Sequence, residues 1–267
     1  MRWESTALSD RGQRRPQNED AYVLRPEQGL FAVADGMGGH AAGEVASAMA
    51  VAAVARELQP TLSLRHGRRR VADALERAAT MANGEIFAAA ERNRDQSGMG
   101  TTLTALALVP RDRVGVIAHI GDSRAYRWRD GALEQVTRDH TWVQEQAEAG
   151  LLTPEQARLH PFSNILTRAL GTEPTVPVDL VECALHAGDI VLLCSDGLTG
   201  MLDDREISEL IGASARLEAV AGALIDAANQ RGGHDNITVL LARLTPLRST
   251  AAHRHPAARA APRASAP

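Results

Sequence analysis

Short apolar runs alternate with two long helical stretches along most of this chain of 267 residues. Residues 4–8, 20–24 and 30–34 have the length and composition of strands, the first two separated by a polar, basic loop at 11–18. A helix is predicted over 43–58 and a second over 69–92, where Val71, Leu75, Ala78, Ala82 and Ile86 recur at helical spacing. Both are rich in alanine and so suited to packing closely on a sheet. Strands resume at 101–109, 114–120, 124–129 and 133–137, the last two joined by Asp130-Gly131, a pair that accepts the positive φ of a tight hairpin.

In residues 101–109 both alternating sets are largely apolar, so this strand should be covered on both faces. Ile190-Val191-Leu192-Leu193-Cys194 repeats the pattern. A sheet with a second sheet on one face and helices on the other satisfies it, which makes the expected fold an α+β, four-layer αββα sandwich of two antiparallel sheets flanked by helices. The outer helix on the far side is supplied by Leu217, Val220, Ala221, Leu224, Ile225 and Ala228, and a strand at 237–244 closes the domain. Residues 140–176 form a polar insert with short helices near 143–149 and after Thr153-Pro154-Glu155, placed to overhang the site as a flap. Beyond Pro246 the chain turns to Ala, Pro, Arg, His and Ser, which predicts a catalytic domain over 1–245 and a disordered tail over 246–267.

Composition narrows the function. A net charge of −4 with no basic run longer than Arg68-Arg69-Arg70 argues against a nucleic-acid partner. The amino terminus lacks the apolar centre of a signal peptide and no stretch is long enough to span a membrane, so a cytoplasmic monomer without membrane attachment is expected. Cys183 and Cys194 lie in strand-like segments and should be buried, reduced thiols.

Four aspartates stand within three residues of a glycine: Asp35 in Ala-Asp-Gly-Met-Gly-Gly, Asp122 in Gly-Asp-Ser-Arg, Asp196 in Ser-Asp-Gly, and Asp235 in Gly-Gly-His-Asp-Asn. A carboxylate where an apolar run stops, beside a residue that lets the backbone turn sharply, presents hard oxygen at a sheet edge. Converging strand ends would set these carboxylates against one another unless cations intervene, and all-oxygen ligation favours Mg2+ or Mn2+ over zinc. The glycine beside Asp35 also lets the Gly36 carbonyl approach an ion. Two such ions together ease the deprotonation of a water that attacks phosphorus in line. Arg15, in the early loop, supplies a guanidinium suited to phosphoryl oxygens.

The ordered blocks Arg15-Pro16-Gln17-Asn18-Glu19-Asp20, Val33 to His40, Gly98 to Thr102, Ile120 to Arg124, Leu166 to Gly171, Cys194 to Leu198 and Gly233 to Thr238 together resemble the metal-dependent protein phosphatase family, also called protein phosphatase 2C, in its bacterial branch. The resemblance implies a serine/threonine phosphoprotein phosphatase requiring two Mn2+ or Mg2+ ions and admitting a third. It implies that Asp35 bridges both ions, that the Gly36 carbonyl, Asp196 and Asp235 complete the pair, and that Asp122 joins Asp196 at the third. Glu19 and Asp20 would hold waters around the ions and Arg15 the substrate phosphate. The implied partners are phosphoserine and phosphothreonine proteins, with a cognate serine/threonine kinase among them.

One departure stands out: Met37 occupies the position where animal members carry a histidine proposed as general acid, and a thioether donates no proton. His40 is a candidate substitute, and His160 and Asn164 of the flap are left outside the core site. Two other functions compete. A pseudophosphatase would need a broken ligand set, and here every expected ligand is present. A nuclease or small-molecule phosphatase with the same metals is disfavoured, for nucleic acid, by the acidic balance.

Overall fold

The computed structural model describes residues 2–38, 42–63 and 66–245. His40 and the tail expected over 246–267 lie outside the described residues. One sheet is built from β1 (Arg2–Asp10), β11 (Ile237–Thr245), β10 (Ile190–Cys194), β7 (Arg124–Arg129) and β8 (Ala132–Gln135), in that spatial order. The other runs β2 (Asp20–Arg25), β3 (Leu30–Met37), β5 (Leu103–Val109), β6 (Val114–Ile120) and β9 (Asp179–Ala184), with the short β4 (Gly100–Thr101) paired to β3. Neighbouring strands pair antiparallel throughout.

The period of two decides which side chains meet which layer. From β5, Leu103, Ala105, Ala107 and Val109 face helices α1 (Gly43–Ser63) and α2 (Arg68–Arg92), whereas Leu106 and Leu108 point between the sheets. From β10, Val191 and Leu193 enter that middle layer, while Ile190, Leu192 and Cys194 face α6 (Asp204–Gly212) and α7 (Leu217–Gln230). This is the αββα sandwich expected. The α1/α2 side is built largely of alanine, so helix and sheet backbones lie close, and the bulk sits in the middle layer with Phe31, Leu106, Ile117, Leu193 and Leu240. Cys183 and Cys194 are buried and free.

Several boundaries moved, for local reasons. The strand predicted at 30–34 runs on through Asp35 to Met37, because Gly36 and Met37 pair with Thr101 and Gly100. Asp35 is therefore inside a strand and not at its end. The run at 101–109 is broken at Thr102, whose hydroxyl, not its carbonyl, takes the Asp35 N–H at 2.9 Å. The Asp130-Gly131 hairpin has the expected positive φ, 49° and 86°. Helix α6 has no counterpart in the apolar pattern, although Asp203 and Glu206 form a reciprocal capping box at its start. The flap carries α3 (Trp142–Glu148) and α4 (Pro154–Arg158), the latter opened by a Thr153/Gln156 capping box. Among the described residues no helix is long and apolar enough to cross a membrane.

Candidate active site

The site lies at one end of the sandwich, where both sheets contribute. Register places Asp20 directly opposite Asp35 across β2 and β3. Asp35 is fixed through its backbone: its N–H goes to Thr102 Oγ1, and its carbonyl accepts from the Thr102 N–H at 2.9 Å and from Thr101 Oγ1 at 2.8 Å. The backbone is thus fully engaged, and the side chain is buried among the neighbouring acids. From the other sheet, Asp196 begins the short helix α5 (Asp196–Thr199) immediately after β10, and Asp235 precedes β11. Asp122 follows Gly121, whose φ of +102° makes the sharp turn after β6.

Gly36 meets a steric demand. A Cβ there would lie 2.1 Å from the Gly43 carbonyl oxygen and 2.6 Å from that of Glu19, so no side chain fits. The backbone at the start of α1 and the end of the Arg15 loop close directly on this residue.

These carboxylates are gathered under strong mutual repulsion. Burial, then Asp20, Asp196, Asp122 and Asp235, push Asp35 well above the usual carboxylate range. Burial and Asp196 do the same to Asp122. Asp196 is raised to about 6 by burial and Asp235, and Asp20 to about 7 by burial, against the hydrogen bonds that favour its charged form. Asp20 Oδ1 and Asp196 Oδ1 are buried and have no hydrogen-bond partner. Orphaned anionic oxygens in a cluster of like charges are the chemistry that a divalent cation satisfies. Among the described residues no three acidic, histidine or cysteine side chains already meet at one ion-sized point. Asp235 is instead turned toward Arg15, whose Nη2 donates to Asp235 Oδ2 at 2.5 Å. The donor set therefore fits hard cations by its charge and its orphaned oxygens.

Arg15 stands at the rim with 49% of its side chain exposed. Its loop is held by neutral polar groups. Asn236, buried, accepts the Glu19 N–H at 2.8 Å through Oδ1 and donates from Nδ2 to the Arg11 and Gln17 carbonyls at 2.9 Å each. The Gln13 N–H donates to the Gly233 carbonyl at 2.7 Å. Ser195 Oγ and Thr238 Oγ1 donate to Asp20 Oδ2 at 2.8 and 2.6 Å, tying one sheet to the other. Asn236 and Ser195 directly adjoin glycine-flanked aspartates in sequence, and Thr238 lies three residues beyond Asp235.

Glu19 sits beside Gln17, which donates to its Oε1 at 3.1 Å, and near Gly43. A cavity of about 880 Å3 opens from Asp122, Asp196 and Asp235 toward the flap, where Ser163 and Asn164 line it. His160 is engaged elsewhere, its ring 5.2 Å from that of Trp142 and 5.4 Å from that of Phe162. Met37 is in β3, against Gly100.

Residues 11–246 match the family described as Protein phosphatase 2C. The chain belongs to the protein phosphatase 2C family. It is 42% identical over 236 residues to the serine/threonine phosphatase stp of Listeria innocua, a span covering 87% of this chain and 92% of that protein. Its fold is similar to the crystal structure of the Mycobacterium tuberculosis serine/threonine phosphatase PstP/Ppp, with a TM-score of 0.83 and 40% identity, over 92% of this chain and 100% of that one. The catalytic domain of PstP in complex with two manganese ions is similar with a TM-score of 0.81 and 38% identity, over 92% and 99% of the two chains. This protein phosphatase 2C chain is thus a bacterial-type serine/threonine phosphatase, metal-dependent and built on the α+β sandwich of its relatives.

Proposed function

We propose that this protein removes phosphate from phosphoserine and phosphothreonine in proteins through a binuclear Mn2+ or Mg2+ centre, and that it opposes a bacterial serine/threonine kinase. The observation that carries the reading is the buried carboxylate cluster with its orphaned Asp20 and Asp196 oxygens, set beside a half-exposed arginine paired with Asp235, an acid that lines a large cavity. In this reading Asp35, the Gly36 carbonyl, Asp196 and Asp235 hold the two cations, Glu19 and Asp20 support them from outside, and Asp122 with Asp196 offers a third position. Bound there, such a pair supplies Lewis acidity, easing loss of a proton from water and drawing charge from the phosphoryl oxygens. The manganese in the PstP complex supports manganese as the working metal.

Arg15 binds the substrate. Its guanidinium is exposed enough to exchange Asp235 for phosphoryl oxygens, and its planar fork suits them. Thr102, Ser195, Thr238 and Asn236 orient the acids and the loop. Met37 provides no proton to the leaving oxygen, so another group supplies it. Residues 1–245 act as one catalytic domain, working as a cytoplasmic monomer, and the 246–267 segment takes no part in the chemistry.

The test is hydrolysis of p-nitrophenyl phosphate and of a phosphoserine and phosphothreonine peptide panel, with Mn2+ and with EDTA. Turnover should require metal and should vanish in Asp35→Asn. Efficient cleavage of a metabolite phosphate with untouched phosphopeptides would overturn the protein-substrate assignment, and metal-independent turnover would overturn the site.

A further inference from the structure

The flap leaves the body of the protein through a narrow neck. His140 and Thr141 enter it and Leu166 and Thr167 leave it, with a bridge between Thr141 and Leu166. The Trp142 N–H donates to the Ile165 carbonyl at 2.9 Å, and the Thr167 N–H to the His140 carbonyl at 2.8 Å. Both strands of this neck are gripped by one carboxylate on β9. Asp179 Oδ1 accepts from Arg168 Nη1 at 2.8 Å, on the exit side, and Asp179 Oδ2 lies 3.1 Å from His140 Nε2, on the entry side.

The ring of His140 joins this grip to the active site. Its Nδ1 accepts the backbone N–H of Gly121 at 3.1 Å, so in the neutral ring the proton is on Nε2, directed at Asp179. The His140 N–H in turn donates to the Gly121 carbonyl at 2.8 Å. Gly121 is therefore held on both its polar groups by a single residue of the neck, at the positive-φ turn that delivers Asp122 to the cavity. His140 is buried, whereas Asp179 and Arg168 are partly exposed and free of other duties in the site.

We infer that Asp179 is a positioning residue for the phosphatase reaction: its carboxylate clamps the two ends of the flap together and, through His140, fixes the Gly121-Asp122 turn. The flap and Asp122 line the same cavity. One carboxylate thus sets both the wall over which a substrate chain lies and one acid beneath it. Loosening it acts first on substrates long enough to reach the flap. This rests on the proposed phosphatase function, and a small aryl phosphate, which needs the cation pair and Arg15 but neither the flap nor the third position at Asp122, separates the two ideas.

The experiment compares the full chain with Asp179→Ala and with Glu182→Ala, an acid on the same strand that pairs with Arg68 away from the neck. Asp179→Asn, which keeps the side-chain shape, takes its place if Asp179→Ala does not fold. Hydrogen exchange read by mass spectrometry should speed up several-fold in peptides covering residues 120–123, 140–142 and 165–168, and stay unchanged in β10 and β11. KM for a phosphothreonine peptide should rise several-fold, while kcat/KM for p-nitrophenyl phosphate stays within about two-fold of the parent. Glu182→Ala should change neither. Unchanged exchange in the neck overturns the clamp, and faster exchange in the neck with none at 120–123 overturns the link to Asp122. A parallel fall of both substrates with the unfolding midpoint makes Asp179 merely structural and also overturns it. Failure of the parent to hydrolyse either phosphate would instead refute the proposed function.

Discussion

Asn236→Ala tests whether the active site depends on a scaffold of neutral hydrogen bonds as much as on its acids. The substitution removes three hydrogen bonds at once, to the Glu19 N–H and to the carbonyls of Arg11 and Gln17. Asn236 is 3% exposed, so the Glu19 N–H loses its partner where water reaches it poorly, whereas Arg11 and Gln17 belong to exposed residues whose carbonyls can be rehydrated. An orphaned buried group costs about 1–3 kcal/mol and a rehydrated one much less, which gives roughly 2–4 kcal/mol for the substitution. For a domain of this size each kcal/mol moves the unfolding midpoint by about 2–4 °C, so a fall of roughly 5–15 °C is expected by circular dichroism. The function should fail in a specific way. The loop from Arg11 to Glu19 carries Arg15; Gln13 still ties its beginning, and Asn18 and the Glu19 carbonyl its end, but the stretch between them loses its Asn236 anchor at Gln17. A guanidinium that wanders loses its grip on the phosphoryl group, so KM for p-nitrophenyl phosphate should rise about ten-fold, equivalent to about 1.4 kcal/mol, with a smaller fall in kcat. A midpoint within about 1 °C of the parent, together with an unchanged KM, would refute the reasoning.

Two further outcomes are expected. Gly36→Ala forces its Cβ to within 2.1 Å of the Gly43 carbonyl oxygen, backbone against backbone, so the site must open; the measurement is metal-dependent turnover, which should be abolished, with a midpoint lowered by overpacking of about 1–3 kcal/mol or more. Asp189 governs acid stability at the opposite end of the fold. Burial raises its pKa, but hydrogen bonds from Arg129 at 2.7 and 2.6 Å and from the His186 N–H at 2.7 Å, with the Arg129 charge, outweigh burial and hold it below the usual carboxylate range. The native state then binds fewer protons at this group than the unfolded chain does, so its contribution is full above the unfolded pKa of about 3.9 and is lost as pH falls through the lower folded value. Asp189→Asn should be less stable than the parent at pH 7, and urea titrations should show that gap closing as the pH falls below about 4. A gap constant down to pH 3 would contradict the assignment.

The layers were legible because period-two and helical patterns record which faces are buried. Residues 114–120 and 124–129 were found to the residue, and the Asp130-Gly131 turn announced its hairpin. The ends of elements at the site were not legible. Apolar content stops at Ala34, yet β3 continues through Asp35 and Gly36 because backbone partners, invisible in a hydropathy pattern, are supplied by Gly100 and Thr101. Helix α6 leaves no periodic signal because its buried residues are only Ile207 and Ile211, and its capping box is the better mark in the sequence. Asp35, Asp122, Asp196 and Asp235 are legible from their glycines and Asp20 only from the family resemblance, and the structure brings Asp20, Asp122, Asp196 and Asp235 into electrostatic contact with Asp35. Their supports, Thr102, Ser195, Asn236 and Thr238, are not legible as supports, because a hydroxyl or amide bound to a distant carboxylate or backbone group looks in sequence like any small polar residue.

Asp20 rides on one sheet, while the two hydroxyls that hold its Oδ2 ride on the other. The distances of 2.8 and 2.6 Å leave no slack for one sheet to slide over its neighbour. The side chains that prevent sliding are Phe31, Leu106, Leu193 and Leu240 in the layer between them, well away from any phosphate. A conservative exchange among these residues can leave the melting temperature almost untouched and still displace the acids by the fraction of an ångström that chemistry notices. Natural variation in the middle of this sandwich is therefore screened by turnover as well as by folding, and its apolar centre behaves as a remote adjustment screw of the reaction.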